Sequence, residues 1–115
     1  MKRVRPLLED MVNYARRAVD IAAQAGEDGL ARDEVRNLAV QRCLEIIGEA
    51  ANAVPLEAQT QFSEIAFRQA IAMRHRIIHG YSRIDTAIIE ATIRDDLPGL
   101  IVALEAALAN SNLDG

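Results

Sequence analysis

The chain should fold as an all-α, up-and-down bundle of four to five helices, and three observations predict it. Half of the 115 residues are hydrophobic, yet only two Phe, two Tyr and no Trp are among them. An aliphatic, alanine-rich chain of that kind favours helices, because Ala loses no side-chain entropy there while aromatics lose χ1 freedom. Apolar residues recur at helical spacing in several separate blocks, and no segment alternates as a strand does. Short punctuated links (Gly26 to Gly29, Pro55, Gly80) separate the blocks, as a bundle of antiparallel neighbours requires. At this length one core is affordable and two are not, so residues 1–110 form one domain and 111–115 a fraying tail.

The first helix is expected over residues 6–25, with Leu7, Leu8, Met11, Ala15, Ala18, Val19, Ala22 and Ala25 as its stripe and Pro6 in the first turn. Gly26-Glu27-Asp28-Gly29 ends it. A second helix runs from about Asp33 to Val54. Its apolar side is read as Val35, Leu38, Ala39, Arg42, Cys43, Ile46, Ile47, Ala50 and Val54. Arg42 interrupts that side and must snorkel or pair. Cys43 reads as a small buried hydrophobe. Gly48 sits mid-helix at a cost of roughly 1 kcal/mol relative to Ala, which close approach of another helix would offset. Glu49 beside it can reach an arginine elsewhere or face solvent.

Pro55 closes the second helix, and 55–62 is a connector with room for one short turn. Ser63 is placed to cap a third helix from Glu64 to His79, with Gly80 at the position after its end, where a left-handed backbone is easiest for glycine. Ser82 or Asp85 starts a fourth helix, which Pro98 should kink or split. Leu97, Ile101, Leu104 and Leu108 then finish the core.

A net charge of −4 argues against a surface that grips nucleic acid everywhere. From Arg68 to Arg83, however, there are four arginines and no acid. An acidic chain with one basic segment suits a focused anionic site. One cysteine excludes an internal disulfide, and no apolar run reaches spanning length. The basic start leads into Glu9 and Asp10 rather than into an apolar region, unlike a signal peptide. A soluble, cytoplasmic protein is expected.

Both histidines fall in Met73-Arg74-His75-Arg76-Ile77-Ile78-His79-Gly80-Tyr81, where Arg74, His79 and Tyr81 spell Arg-x4-His-x-Tyr. A guanidinium fork suits a phosphate, an imidazole moves protons near neutral pH, and a phenol is a donor, an acceptor and a nucleophile. The negative end of the helix dipole favours the imidazolium form of His79. Five residues of helix rotate by about 500°, so Arg74 and His79 point about 140° apart. The arginine must bend round, the last turn must unwind, or a second copy must complete the site. Two plainer readings compete. The stretch is also what a helix end with arginines paired to neighbouring acids looks like. His75 and His79, at i and i+4, can also share a zinc ion, but no third ligand lies at motif distance, so no metal or cofactor is expected.

The run from Ile65 to Asp85, with Met73-Arg74-His75-Arg76-Ile77-Ile78-His79-Gly80-Tyr81 at its centre, resembles the HepT-like ribonuclease toxins of the HEPN superfamily. Ile46-Ile47-Gly48-Glu49-Ala50 is similar to that family's Ile-Gly-Glu-Ala signature. The likeness extends from the first helix to the last. His75 is a departure, standing where many members have Asn. The resemblance implies a HEPN-like homodimer whose two Arg-His motifs line a shared cleft. It implies the toxin of a type VII-like toxin–antitoxin pair, cleaving RNA without metal by attack of a ribose 2′-hydroxyl. In that scheme Arg74 stabilises the phosphorane and His79 transfers a proton. His75, Arg76 and Glu49 are supporting residues. Tyr81 is similar to the residue that a partner nucleotidyltransferase antitoxin of the MntA type modifies with AMP. The alternative within the superfamily is a non-catalytic helical module that binds a nucleotidyltransferase or a nucleotide.

Overall fold

Among the described residues the chain is helical throughout its ordered elements, with no strand. The computed structural model describes residues 3–80, 84–110 and 113. Among these described residues six α-helices succeed one another: α1 Val4–Ala23, α2 Glu34–Ala53, α3 Leu56–Gln61, α4 Phe67–Gly80, α5 Thr86–Ala91 and α6 Leu97–Leu108. A 3₁₀ turn, Gly29–Arg32, precedes α2, and a π-helical segment, Thr92–Asp96, joins α5 to α6. The layers run α4, α2, α1, α6, each packed on the next. Near the two ends of the α1–α6 pair, the Arg5 guanidinium donates to the Leu108 carbonyl at 3.2 Å. Arg16 pairs with Glu105 across the same seam.

Aliphatic side chains fill the core as the composition requires. Leu8, Met11, Ala15 and Ala18 of α1 meet Val40, Leu44, Ile47 and Ala51 of α2 and Leu97, Leu100 and Leu104 of α6 in one buried cluster. Burying a Leu or Met side chain contributes about 1.5–3 kcal/mol. Asp33 caps α2, its carboxylate accepting from the Arg36 backbone N–H at 3.1 Å and the Arg36 guanidinium at 2.9 Å. Those bonds hold the Asp33 carboxyl below the usual carboxylate range. Gly29 takes a left-handed φ of 67°, which turns the chain so that the Leu30 N–H donates to Glu90 at 3.2 Å.

Several expectations are corrected. The buried face of α2 is Val40, Cys43, Leu44, Ile47, Gly48, Ala50 and Ala51, whereas Val35 is 78% exposed and Leu38 58%. Apolar residues lie almost all round this helix, so periodicity alone did not fix which face turns inward. The helix carrying Arg74 starts at Phe67, not Glu64. Residues 62–65 form a turn that buries Phe62 and Ile65, and this leaves Ser63 outside the helix instead of capping it. Gly80 is the last residue of α4 and is not left-handed. In α6 the inward stripe is Leu97, Leu100, Leu104 and Ala107, a slight rotation from the one expected. Pro98 does split the last helix: it lies in the first turn of α6, and the wider π-helical turn comes just before it. Of the tail, residues 111, 112, 114 and 115 lie outside the described residues, while Leu113 is buried.

Candidate active site

The site is built where α4 crosses α2, and Gly48 sets the spacing. A Cβ added to Gly48 would run into the Arg74 Cβ and stand 2.8 Å from the carbonyl oxygen of Ala70. Only glycine lets the two backbones come this close, which offsets its poor helix propensity. The close approach expected at Gly48 is therefore present, and its partner is the helix that carries Arg74. Ala70 was not singled out from sequence; its one signal is a small side chain one turn before Arg74.

Arg74 is clamped by this crossing. Its side chain is 28% exposed, and among the described residues its buried Nε has no hydrogen-bond partner. The nearest acid is Glu49, whose Oε1 lies 4.0 Å from that Nε, too long for a hydrogen bond. The same Oε1 accepts from the Arg42 guanidinium at 3.4 Å, and Arg42 also donates to Glu45 at 3.0 Å. Arg42 thus pairs rather than inserting into the core, and Glu49 sits between two guanidinium groups. An arginine held at its stem, with its Nε donor left without a hydrogen bond among the described residues, is prepared for an anion.

His75 and His79 lie on one exposed face of α4, their rings 5.6 Å apart between centroids and inclined by 12°. His79 is in the last turn of the helix. Arg76 is exposed and forms no hydrogen bond or ion pair among the described residues. Arg74 thus meets Glu49, and His75 meets His79, but among the described residues no hydrogen bond, ion pair or ring contact joins the two pairs. Tyr81, with Ser82 and Arg83, lies outside the described residues. Cys43 is buried, and burial pushes its thiol up, as expected of an inert core cysteine. A cavity of about 300 Å³ opens on another side of α4, lined by Leu44, Ile47, Ala70, Met73, Thr92 and Leu100 among others; neither Arg74 nor either histidine reaches it.

Residues 11–107, which include the whole of this crossing, match the family described as "Ribonuclease HepT-like". The chain belongs to that family. It is 37% identical over 68 residues to a probable ribonuclease HepT of Thermococcus cleftensis, a match covering 59% of this chain and 62% of that protein. A candidate RNase of Caldanaerobacter subterraneus is 31% identical over 100 residues, covering 87% of this chain and 89% of the relative. A candidate RNase of Methanocaldococcus jannaschii is 25% identical over 95 residues, covering 83% and 82%. No solved structure matches the chain significantly. Among the described residues no helix is long and apolar enough to cross a membrane.

Proposed function

We propose that the chain is a metal-independent endoribonuclease and the toxin of a two-component toxin–antitoxin pair. The observation that carries the reading is Arg74: held by the Gly48 crossing, with a buried donor left without a hydrogen bond among the described residues, five residues before an exposed histidine at the helix end. In the reaction a ribose 2′-oxygen bonds to the adjacent phosphorus and the P–O5′ bond breaks. The products are a 2′,3′-cyclic phosphate and a 5′-hydroxyl. Arg74 stabilises the charge that builds on the phosphorane, and His79 moves the proton that this exchange requires.

The divergence of Arg74 and His79 along one helix is met by a homodimer in which both Arg-His segments share a cleft. Val35 and Leu38 support this arrangement: both are exposed, and they lie on the α2 face that also carries Arg42, Glu45 and Glu49. A second copy covering that face would bury them beside the site. Sedimentation at micromolar concentration should give a dimer, and a monomer would count against the shared cleft. Control falls to Tyr81, two residues past His79. A nucleotidyltransferase antitoxin would move AMP from ATP to the phenol, releasing pyrophosphate and adding about 329 Da. The new phosphodiester would then compete with RNA for Arg74.

The test is cleavage of total RNA by purified protein, with and without EDTA. Cleavage unaffected by EDTA, leaving cyclic phosphate ends, is the expected result. A folded dimer that cuts nothing would instead be a binding module for the nucleotidyltransferase.

A further inference from the structure

We propose that His75 and His79 together chelate one exchangeable divalent ion of the borderline class (Zn²⁺, Ni²⁺ or Cu²⁺), and that its binding switches the site off. Both imidazoles are exposed on one face of α4, with centroids 5.6 Å apart and rings nearly parallel. Zinc binds imidazole nitrogen at about 2.0–2.1 Å; adding roughly 1.1 Å to the ring centre puts each centroid about 3.2 Å from the metal. Two such rings at a tetrahedral angle have centroids about 5.2 Å apart, so the separation suits an ion, and the stacked rings must turn about their side-chain torsions until one nitrogen of each points at it. The helix supplies the spacing, and no backbone change is required.

The same geometry sets the character of the site. Among the described residues no group of three or more His, Cys, Asp or Glu side chains could hold a metal. The two histidines therefore offer half a coordination shell, with water filling the rest, unlike the closed four-ligand shell of a structural zinc. Arg74 and Arg76 flank His75 in the chain, and their charge weakens binding of a dication. The result is a micromolar, reversible site, with affinity rising from Zn²⁺ to Cu²⁺ and with Mg²⁺ and Ca²⁺, which prefer oxygen ligands, excluded. A metal held by His79 occupies the lone pair that a proton would otherwise use. This switching half rests on the ribonuclease reading above; the binding half does not.

Calorimetric titration of the untagged, full-length protein with Zn²⁺ and Ni²⁺ tests the binding half. One ion per chain at micromolar Kd is expected, with at least a tenfold loss in His75→Ala and in His79→Ala and no heat from Mg²⁺ or Ca²⁺. Wild-type failure to bind, or unchanged affinity in both folded variants, would overturn the proposal. Histidine ring NMR signals supply a second readout, since both rings should shift on adding Zn²⁺ and recover with EDTA. For switching, Zn²⁺ should halve wild-type RNA cleavage near its Kd. His75→Ala, measured against its own metal-free rate, should need at least tenfold more. Equal zinc sensitivity in the two proteins would refute the switch, while an enzyme inactive in EDTA from the start would fail the ribonuclease reading and leave the binding result standing.

Discussion

The two seams that α2 and α1 form with their outer neighbours are packed on different terms. At the α1–α6 seam, Leu8, Met11 and Leu104 interlock with no exposed surface, and polar contacts such as Arg16 with Glu105 stay at the rim. At the α2–α4 seam the backbones approach through Gly48 and Ala70, and a charged side chain lies in the contact with its Nε, among the described residues, 4.0 Å from Glu49 and without a hydrogen bond. A buried donor without a partner costs about 1–3 kcal/mol. The first seam is what stability alone selects. The second gives some stability away to hold a cation in place, and this is the physical reason to look for the chemistry there.

Breaking the second seam chemically should have the largest effect. His79→Ala and Arg74→Ala should each lower RNA cleavage by about 10²–10⁴-fold, the usual range for losing a proton-transfer or charge-stabilising group. Neither should unfold the chain, since His79 is exposed and Arg74 is partly so. His75→Ala should be milder. Rates on total RNA, with circular dichroism of each variant, check the order; an active His79→Ala beside a dead His75→Ala would reverse the assignment.

Breaking the first seam should act on stability and leave the site's chemistry alone. Leu104→Ala removes a fully buried side chain and should cost about 2–5 kcal/mol in denaturant melts, with the folded fraction retaining wild-type kcat. Gly48→Ala sharpens the contrast. It gains up to about 1 kcal/mol of helix propensity, but its methyl group meets the Ala70 carbonyl and the Arg74 stem. Overpacking of this kind costs about 1–3 kcal/mol, so a net loss smaller than that of Leu104→Ala is expected. Its kcat should nevertheless fall, because Arg74 is pushed from its place. Stabilisation with unchanged kcat would show that the close crossing does not serve the site.

How far each seam could be read in the sequence follows the same division. Gly48 announced a close crossing because glycine in a helix interior is costly without one, and Asp33 and Pro98 marked their boundaries through backbone hydrogen bonding that is local. The α1 stripe was legible because its apolar residues keep to one side. Val35 and Leu38 were misplaced because α2 is apolar nearly all round, so only its partners decide which side is buried. The start at Phe67 was hidden for a related reason: Phe62 and Ile65 turn into the core, and that burial outweighs the capping preference of Ser63. The approach of Glu49 to Arg74 depends on two helices meeting, which no local spacing encodes.

The smallest expected effect is the one that best defines what Arg74 is held for. Glu49 is exposed, with one oxygen 3.4 Å from the Arg42 guanidinium and 4.0 Å from the Arg74 Nε. Glu49→Gln removes the charge and keeps the shape. Pairs this exposed contribute about 0.2–1 kcal/mol, so the melt should move by less than 1 kcal/mol. The carboxylate can act on Arg74 in two ways, as a tether or as a competitor for the phosphate. At 4.0 Å without a hydrogen bond it is a poor tether, and the Gly48 crossing already fixes the arginine's stem. It still lowers the local potential that an RNA phosphate meets, as any unit charge a few ångströms from a part-buried site does. The expected outcome is therefore a KM for RNA lowered about two- to threefold, an effect of under 1 kcal/mol, with kcat within a factor of two and the gain shrinking as salt rises. A tenfold fall in kcat at unchanged KM would make Glu49 a positioning residue for Arg74, and the seam would then depend on its ion pair more than on its packing.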